Sequence, residues 1–417
     1  MRRFWLHKAS DQAAMRTVLH VASVFPSNSN RLALQFGYAR DIWGVALLHL
    51  TARKEELERT GNANDEVQML PHIPHLRDGD YRVVRKFRSL IRRIVNIAAL
   101  YATAVRSRAD IMHAHENSSL WALAFWALVL RRPAVWDPHD YFHESTEARS
   151  GSYRLASLKL LERAIVNRGT PILTVSEGMR EKYTKLYPRA NVQVVRNYSS
   201  HRNTEIAEHE SAGNTAARLV ARRNQIGEGT IRLVYPGLIK PERFTLSLIR
   251  RLGSIKGISL DIYGEDRSGR ATHQSALEKT LSDHNIENVY LRGRYTSDNI
   301  VSTLSQYQFA IFPFQLTHAN IDFCLPNKFF QCIEAGLPMI ATNMREMGGI
   351  ISQFGMGYVF RAGDNSACAD ILAGCSVTGE DYLALVRNVL TYRATEIDYG
   401  KQQSILLDTY SAAIRRQ

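Results

Sequence analysis

Short apolar segments alternate with longer, helix-like segments along almost the whole chain of 417 residues, and this alternation limits the possible folds more than any other feature. The apolar segments are rich in Val, Ile and Leu and contain few polar residues, as is typical of strands that are covered on both faces. Strands that alternate with helices predict an open parallel sheet with helices packed on both sides. We therefore expect an α/β protein.

The alternation stops once, near the middle of the chain. Residues 201–230 are polar and include two glycines near their end, which indicates a domain boundary with a linker that is partly flexible. We expect two doubly wound, Rossmann-like domains, at residues 1–200 and 231–396, that face each other across a cleft. A last helix, in residues 397–417, is expected to fold back onto the first domain. Ligands bind beyond the carboxyl ends of the strands in such sheets, so the cleft is the expected site.

Composition and charge narrow the possible functions. The chain has 53 basic and 40 acidic residues, a net charge of +13, which indicates an anionic partner such as nucleic acid, anionic lipid or a phosphorylated ligand. The longest apolar run has 11 residues, whereas a membrane span needs about 20, and no secretory signal is predicted at the start. Four cysteines without a C-x-x-C pair favour reduced thiols in the cytoplasm over disulfides or a zinc site.

A first group of polar residues follows two predicted strands of the first domain. His113, His115 and Glu116 come at the end of one strand, and His139 and Asp140 directly follow the next. His139 is expected to accept a proton, or to hold a hydroxyl or a phosphate in place. His113 and His115 are also consistent with hydrogen-bonded structural histidines. We predict no metal site, because neither an H-x-x-x-H pattern with a helical glutamate nor clustered cysteine is present.

Two segments of the second half have the features of an anion site. In the first, a predicted strand runs into Gly237, Lys240 and Arg243; glycine allows close approach of the backbone, and the two cations suit a diphosphate. In the second, Lys328 lies in the first turn of a predicted helix, where a cation opposes the helix dipole unless an anion lies between them. Gln331 lies one turn further on the same face. Each segment alone is also consistent with an ordinary solvated turn or helix.

Together these segments, in this order, resemble the retaining glycosyltransferases of family four, which have the two-domain GT-B fold. The resemblance covers nearly the whole chain after Arg16 and is carried by DIMHAHE at 110, DPHD at 137, PGLIKPER at 236, LDIYGE at 260 and LPNKFF at 325. It implies transfer of a sugar from a nucleoside diphosphate sugar, with UDP favoured over GDP, to a hydroxyl of a saccharide or lipid-linked acceptor. It further implies retention of configuration, no cofactor and no metal ion, and a place in bacterial surface polysaccharide or glycolipid synthesis.

The resemblance also implies roles for single residues. His139, Arg243 and Lys328 are the expected catalytic residues, with His139 beside the acceptor hydroxyl and the transferred sugar, and the two cations on the diphosphate. The expected donor-binding residues are Gly237, Lys240, Gly264, Glu265, Arg294, Asn327, Gln331 and Glu334. The candidate acceptor-side residues are Ser27, Asn28, His115, Glu116 and Asp140.

Three positions depart from the family pattern. Leu238 stands where the family usually has an arginine, so one phosphate contact is missing or is supplied by Lys240. Phe323 and Gln331 stand where the family has two carboxylates. An amide can still bind ribose hydroxyls, as a donor and an acceptor, and Glu334 is a candidate substitute.

From Arg82 to Arg108 there are eight basic residues, no acidic residue, and interleaved apolar residues. We expect one face of this helix to pack on the sheet and the other to attract anionic lipid, which places the protein peripherally on the inner face of the cell membrane. A solvated helix is the alternative. Nucleic acid is not the expected partner, because no recognisable reading module is present. Two rival functions stay open: a nucleotide-sugar epimerase or phosphorylase on the same fold, and a non-catalytic scaffold that binds nucleotide sugar or membrane.

Overall fold

The structure, a computed structural model, describes most of the chain. The described residues are 16–22, 30–40, 43–49, 66–69, 102, 105–144, 153–199, 206, 210–227, 229–266, 271–294 and 299–416. Ser27, Asn28 and most of the predicted basic helix lie outside these ranges.

The first domain is built on a seven-stranded sheet. Its strands are β1 (Thr17–Ala22), β2 (Gly44–His49), β3 (Glu66–Met69), β4 (Ile111–His115), β5 (Ala134–Asp137), β6 (Ile172–Thr174) and β7 (Val192–Val194). They lie in the order β3-β2-β1-β4-β5-β6-β7 and pair in parallel. The helices described here are α1 (Asn30–Arg40), α2 (Leu120–Ala124), α3 (Tyr153–Asn167) and α4 (Glu177–Leu186).

The second domain is built on a six-stranded parallel sheet. Its strands are β8 (Ile231–Pro236), β9 (Ile258–Tyr263), β10 (Val289–Gly293), β11 (Phe309–Phe312), β12 (Met339–Thr342) and β13 (Gly357–Phe360). They lie in the order β10-β9-β8-β11-β12-β13. The helices are α5 (Ala212–Gly227), α6 (Leu246–Gly253), α7 (Thr272–Asp283), α8 (Ile300–Leu304), α9 (Ala319–Phe323), α10 (Asn327–Glu334), α11 (Met347–Phe354), α12 (Asn365–Gly374) and α13 (Glu380–Glu396), followed by α14 (Tyr399–Arg415).

Both sheets confirm the predicted doubly wound α/β class. The central strands are buried on both faces, as in β8, where Leu233, Val234 and Tyr235 are fully buried. The strand order reverses direction between β1 and β4 in the first sheet and between β8 and β11 in the second. These switch points are where an open α/β sheet binds its ligand.

The segment 201–230 differs from the flexible linker that was predicted, because much of it forms α5. Thr215, Leu219 and Arg223 are buried at a spacing of four residues and mark the face that packs on the second domain. Arg223 is fully buried and donates hydrogen bonds to the backbone carbonyls of Ser305, Ala335 and Gly336. Because the packed face contains a threonine and an arginine, the sequence of this segment is polar although the helix packs against the second domain.

Helix α14 crosses back to the first domain. Its residues Leu406, Tyr410 and Ala413 pack in one cluster with Val18 of β1 and Ile111 of β4. In the part of the chain that the structure describes, no helix combines the length and the apolar character that a membrane span requires.

A second contact between the domains is made by α9. Phe323 is buried among first-domain residues, including Met179 and Tyr183, and its carbonyl accepts a hydrogen bond from Ser176 Oγ (2.7 Å). Gly178, at the start of α4, has no room for a side chain, since a Cβ would overlap the Phe323 ring. The position where the family has a carboxylate is therefore an apolar anchor between the two domains.

Candidate active site

The candidate active site lies between the domains, beside the loop that follows β5. This loop carries His139 and Asp140. Asn320 in α9 accepts a hydrogen bond from the backbone N–H of Tyr141 (2.8 Å) and donates one to the carboxylate of Asp140 (3.0 Å). The carboxyl-end loop of the first sheet is thus in direct contact with the second domain.

Three histidines lie side by side on one face of the first sheet. His20 of β1 and His113 of β4 are register partners in adjacent strands, and His115, two residues further on, points to the same face. All three are fully buried. Nδ1 of His20 lies 2.8 Å from Nε2 of His115, and Nδ1 of His113 lies 2.8 Å from the hydroxyl of Tyr410 in α14.

His139 extends this row of imidazoles towards solvent. Its Nε2 lies 3.2 Å from Nδ1 of His115, whereas its Nδ1 lies 3.9 Å from the carboxylate of Glu116. The His139 side chain is 18 % exposed. Its backbone has a φ of +60°, a left-handed conformation that costs a non-glycine residue roughly 1–2 kcal/mol. His115 was predicted on the acceptor side, but its complete burial places it behind His139, which screens it from an acceptor.

Asp137, at the end of β5, lies beside the row of imidazoles. Its two carboxylate oxygens accept hydrogen bonds from Nε and Nη2 of Arg31 in α1, at 2.8 and 2.9 Å, and one of them also accepts from Gln35 (2.9 Å). Burial would raise the pKa of Asp137, but the charge of Arg31 and the neighbouring histidines hold it well below its usual value. Asp137 is therefore a buried, ionised carboxylate whose charge is compensated by Arg31.

The four histidines are uncharged near neutral pH. Burial lowers the pKa of each of them, and it lowers that of His113 to about 3. The negative charge of Asp137 opposes this shift at every one of the four but does not outweigh it. Each imidazole therefore carries one N–H and one lone pair.

Two groups in this region have spacings that could suit a metal ion. They are His20, His113 and His115, and His115, Asp137 and His139, whose nearest nitrogen and oxygen atoms lie within 4.8 Å of one another. However, Arg31 binds both oxygens of Asp137, and His20 and His115 are hydrogen-bonded to each other. A metal would have to displace these bonds, so the prediction of a metal-independent site is retained.

In the second domain, the loops after β8 and β9 lie against each other. The backbone N–H of Gly237 donates to the carbonyl of Tyr263 (2.8 Å), and that of Ile239 donates to the carbonyl of Glu265 (3.0 Å). A Cβ at Gly264 would overlap the carbonyl of Gly237. Gly264 therefore allows the two loops to touch, which brings together the loops predicted to bind the donor.

Three charged residues on these loops and on the loop after β10 are solvent-accessible. Arg294 and Glu265 form an ion pair of 2.5 Å, and Lys240 lies 3.6 Å from Glu242. Arg294 is 65 % exposed and Lys240 is 44 % exposed, so each can move towards a ligand at little cost.

Arg243 is held more firmly. Its guanidinium lies over the ring of Phe314, 4.6 Å from the centroid. Burial raises the pKa of the neighbouring Cys324 thiol to about 12; Arg243 lowers it and Asp140 raises it in turn. The charges of Arg243 in the second domain and Asp140 in the first therefore act on the same small region of the cleft.

Helix α10 begins with Asn327 and Lys328, as predicted. Its N-terminal end favours an anion through the helix dipole and the amide groups of its first turn. Asn327 Oδ1 and Gln331 Oε1 are buried and have no hydrogen-bond partner within the described part of the chain. Buried acceptors without a partner are costly, so both amides are ready to receive a hydrogen bond from a ligand.

Glu334 does not fit its predicted role in donor binding. One carboxylate oxygen accepts a hydrogen bond from Nε of Arg393 (2.9 Å), and the other accepts one from the hydroxyl of Tyr399 (3.1 Å). Glu334 is almost fully buried. It joins α10 to α13 and α14 through these two hydrogen bonds.

The structure also reveals residues that the sequence did not single out. Arg31, Gln35 and His20 hold or extend the histidine row, and Asn320 joins the two domains at Asp140. The one signal in the sequence was His20, a histidine inside an otherwise apolar strand. Arg31 and Gln35 are one helical turn apart, but nothing in the sequence indicates that they meet Asp137.

The first domain matches a known family. Residues 18–198 match the family described as the glycosyl transferase 4-like domain. Among curated proteins, the sequence finds no match.

Solved structures share the architecture of the whole chain. HepE from Anabaena, in complex with UDP-glucose, has a TM-score of 0.70 and 14 % identity over 95 % of this chain and 99 % of its own. TarM from S. aureus has a TM-score of 0.64 and 12 % identity over 96 % and 100 %. WaaG, a glycosyltransferase involved in lipopolysaccharide biosynthesis, has a TM-score of 0.61 and 15 % identity over 95 % and 99 %. At these identities the likeness shows the fold alone, and that fold is GT-B.

Proposed function

We propose, from the premise that residues 18–198 are a glycosyl transferase 4-like domain within a GT-B fold, that the chain transfers a sugar from a nucleoside diphosphate to a hydroxyl group. The observation that carries the proposal is the grouping of charge at the cleft. Arg243 and the first turn of α10, with Lys328, belong to the second domain. The charges of Arg243 and of Asp140 in the first domain both act on Cys324, and His139 precedes Asp140 in the same loop.

The second domain would bind the diphosphate. Arg243 and Lys328 would neutralise the negative charge that develops as the nucleoside diphosphate departs, and preorganised charge at a leaving group is usually the largest single contribution to catalysis. Lys240 would take the place of the arginine that Leu238 replaces. Because two protein cations serve the leaving group, we infer that the transfer needs no metal, and we expect it to retain configuration.

The donor is proposed to be a UDP-sugar. HepE was solved in complex with UDP-glucose and TarM in complex with UDP, which supports a UDP-sugar as the donor. The unpartnered oxygens of Asn327 and Gln331 would accept hydrogen bonds from hydroxyl groups of the ribose or the sugar, while Gly237, Gly264, Glu265 and Arg294 would line the nucleotide.

The acceptor would bind on the side of the first domain. His139, Glu116 and Asp140 lie at the edge of the cleft there and can hydrogen-bond to sugar hydroxyls. WaaG acts in lipopolysaccharide biosynthesis, which supports a saccharide or lipid-linked acceptor of a bacterial surface polysaccharide or glycolipid. Ser27 and Asn28 stay candidates for the same side.

Thermal unfolding with nucleotides tests the donor site. UDP at about 100 times its dissociation constant should stabilise the protein by about 2.7 kcal/mol, with a smaller effect from GDP. Lys328→Ala should remove most of this shift, whereas Lys256→Ala should leave it unchanged, because Lys256 is exposed at the amino end of β9, away from the cleft. A shift of equal size in the Lys328→Ala protein would contradict the proposal.

Product analysis separates the rival functions. A transferase consumes the UDP-sugar only when an acceptor is present, apart from slow hydrolysis. An epimerase would change the sugar without an acceptor, and a phosphorylase would need inorganic phosphate. A scaffold would leave the donor intact under all three conditions.

We also propose that the first domain docks on anionic membrane. The predicted basic helix lies mostly outside the described residues, but its described end exposes Val105 and Arg106, and Trp121 and Val129 are exposed in the same domain. Exposed apolar and aromatic side chains near arginines suit the surface of an anionic bilayer.

Flotation with liposomes checks the docking. The protein should float with vesicles that contain anionic lipid, and binding should fall as salt is raised, because the attraction is about 1 kcal/mol per basic residue. Trp121→Ala should weaken binding, while Tyr290→Ala, an exposed aromatic residue of the second domain, should not. Absence of salt-sensitive binding to anionic vesicles would reject docking.

A further inference from the structure

The row of imidazoles from His20 through His115 to His139 is a continuous hydrogen-bonded chain from the core to the cleft. Its two links are His20 Nδ1 to His115 Nε2 (2.8 Å) and His115 Nδ1 to His139 Nε2 (3.2 Å). The outward end is Nδ1 of His139, beside Glu116. Each link holds one proton, because one nitrogen must donate and the other must accept.

Only two arrangements of the protons satisfy both links when every ring is neutral. In the outward arrangement, His20 donates from Nδ1, His115 donates from Nδ1, and His139 carries its proton on Nδ1, facing the cleft. In the inward arrangement, His139 donates from Nε2, His115 donates from Nε2, and His20 carries its proton on Nε2. The tautomer of His139 therefore depends on the tautomer of His20, which is fully buried.

The buried end of the chain favours the outward arrangement. Nε2 of His20 is buried and has no hydrogen-bond partner among the described residues. The inward arrangement would place an N–H there, and buried N–H groups without a partner are rarer in proteins than buried acceptors without one. The outward arrangement leaves a lone pair instead.

The exposed end favours the same arrangement, while the middle of the chain is neutral. Nδ1 of His139 faces the Glu116 carboxylate at 3.9 Å, which attracts an N–H and repels a lone pair. Asp137 Oδ2 lies 3.5 Å from His115 Nδ1 and 3.6 Å from His139 Nε2, so it gains from a proton on either nitrogen by nearly the same amount. The environments of His20 Nε2 and His139 Nδ1 therefore determine the arrangement, and both favour the outward one.

We propose that His20 and His115 are positioning residues that fix His139 as its Nδ1–H tautomer, so that it donates a hydrogen bond into the cleft. His139 then binds an oxygen of the sugar or the acceptor, and it is not a general base. This assignment deepens the proposed transferase function and rests on it for the identity of the ligand. The charged and titratable groups around His139 are Asp137, Arg31, Glu116 and Asp140, with His115 behind it.

Substitutions at His115 separate the effect of the hydrogen bond from that of packing. Asparagine keeps a donor near the position of Nδ1, and the carboxylate of Asp137, 3.5 Å from that position, selects the amide nitrogen over the oxygen. Leucine fills similar space without a donor. In the leucine variant, Asp137 is the strongest acceptor near His139 Nε2 and draws the proton inward.

Nitrogen-15 NMR of the imidazole rings reads the tautomer directly, with His139 assigned by loss of its signals in His139→Gln. We expect the Nδ1–H form in the unsubstituted protein and in His115→Asn, and the Nε2–H form in His115→Leu. If UDP-sugar turnover is found, His115→Leu should lower kcat by about 10- to 100-fold, as when a metal-ligating histidine loses the partner that orients it, and His115→Asn should recover most of it.

The tautomer is measured without substrate, so a failure of the proposed transferase function would leave this result intact and readable. An Nε2–H form of His139 in the unsubstituted protein would overturn the proposal. So would a His115→Leu protein that keeps the Nδ1–H form. Stoichiometric zinc in the purified protein, lost on substitution of His20, would overturn it as well, because the ring nitrogens would then be metal ligands instead of hydrogen-bonding partners.

Discussion

Replacement of Arg243 by alanine is expected to lower kcat/KM for the nucleotide sugar by at least about 100-fold, because in the proposed reaction it removes a charged donor to the departing diphosphate. The guanidinium is held over Phe314, so it is already ordered before the donor binds, and little entropy is lost on binding. Steady-state kinetics with the donor that gives the largest thermal shift measure the effect.

Two further variants control for charge and for folding. Arg243→Lys keeps the charge but loses the planar fork that suits a diphosphate, so its activity should lie between that of the alanine variant and that of the unsubstituted protein. Arg250→Ala removes an exposed arginine in the last turn of α6 and should leave kcat/KM within about twofold, an effect of at most about 0.4 kcal/mol. An Arg243→Ala protein with normal unfolding temperature and nearly normal kcat/KM would show that the diphosphate lies elsewhere.

Replacement of Arg31 by methionine is expected to destabilise the first domain by about 3–5 kcal/mol, because it leaves the buried, ionised carboxylate of Asp137 without its charged partner. Arg31 and Asp137 are 2 % and 0 % exposed, and Arg31 also donates to the carbonyl of Val195 (2.5 Å). All five tryptophans of the sequence precede residue 137, so tryptophan fluorescence during urea unfolding reports on this domain.

The pH dependence of this variant follows from the pKa of Asp137. The folded-state pKa is lowered below the unfolded value, so the stabilising contribution is present above about pH 4 and is lost as the pH falls through the folded-state value. The difference between the unsubstituted protein and Arg31→Met should therefore shrink in acid. A difference that grows as the pH falls would contradict the assignment.

A surface pair and a double variant complete the test. Arg180 and Glu177 form an i,i+3 pair with both side chains about half exposed, and Arg180→Ala should change the free energy of unfolding by no more than about 1 kcal/mol. The double variant Arg31→Met, Asp137→Leu should be more stable than Arg31→Met alone, because no buried charge is left. Equal stability of the single and double variants would show that the carboxylate is not the source of the loss.

The fold could be predicted from the sequence because strands covered on both faces are apolar runs, and β8 or β11 can be identified on that basis alone. Helix α5 could not be predicted in this way, because its packed face includes Thr215 and Arg223. The buried Arg223 donates hydrogen bonds to backbone carbonyls that lie more than 80 residues away in the sequence. A periodic pattern of apolar residues does not detect a helix that is held by a buried arginine.

Part of the candidate site could be predicted from the sequence, because some of its polar residues stand at positions where polar residues are unusual. Polar residues at strand ends, such as His139 and Asp140, stand out where a crevice is expected, and Lys328 stands out at a helix start. Which of these residues are covered depends on distant packing. His113 is bonded to Tyr410, 297 residues later, and Glu334 is bonded to Arg393 and Tyr399, and no local pattern indicates such partners.

The most direct test is a crystal structure of the full chain with UDP, since a bound diphosphate shows whether the cleft between the two domains is the binding site. The expected result is a pyrophosphate at the N-terminal turn of α10, within hydrogen-bonding distance of Arg243 and Lys328, on the side that faces His139. A nucleotide bound at another surface, or two domains without a cleft between them, would contradict the proposed site.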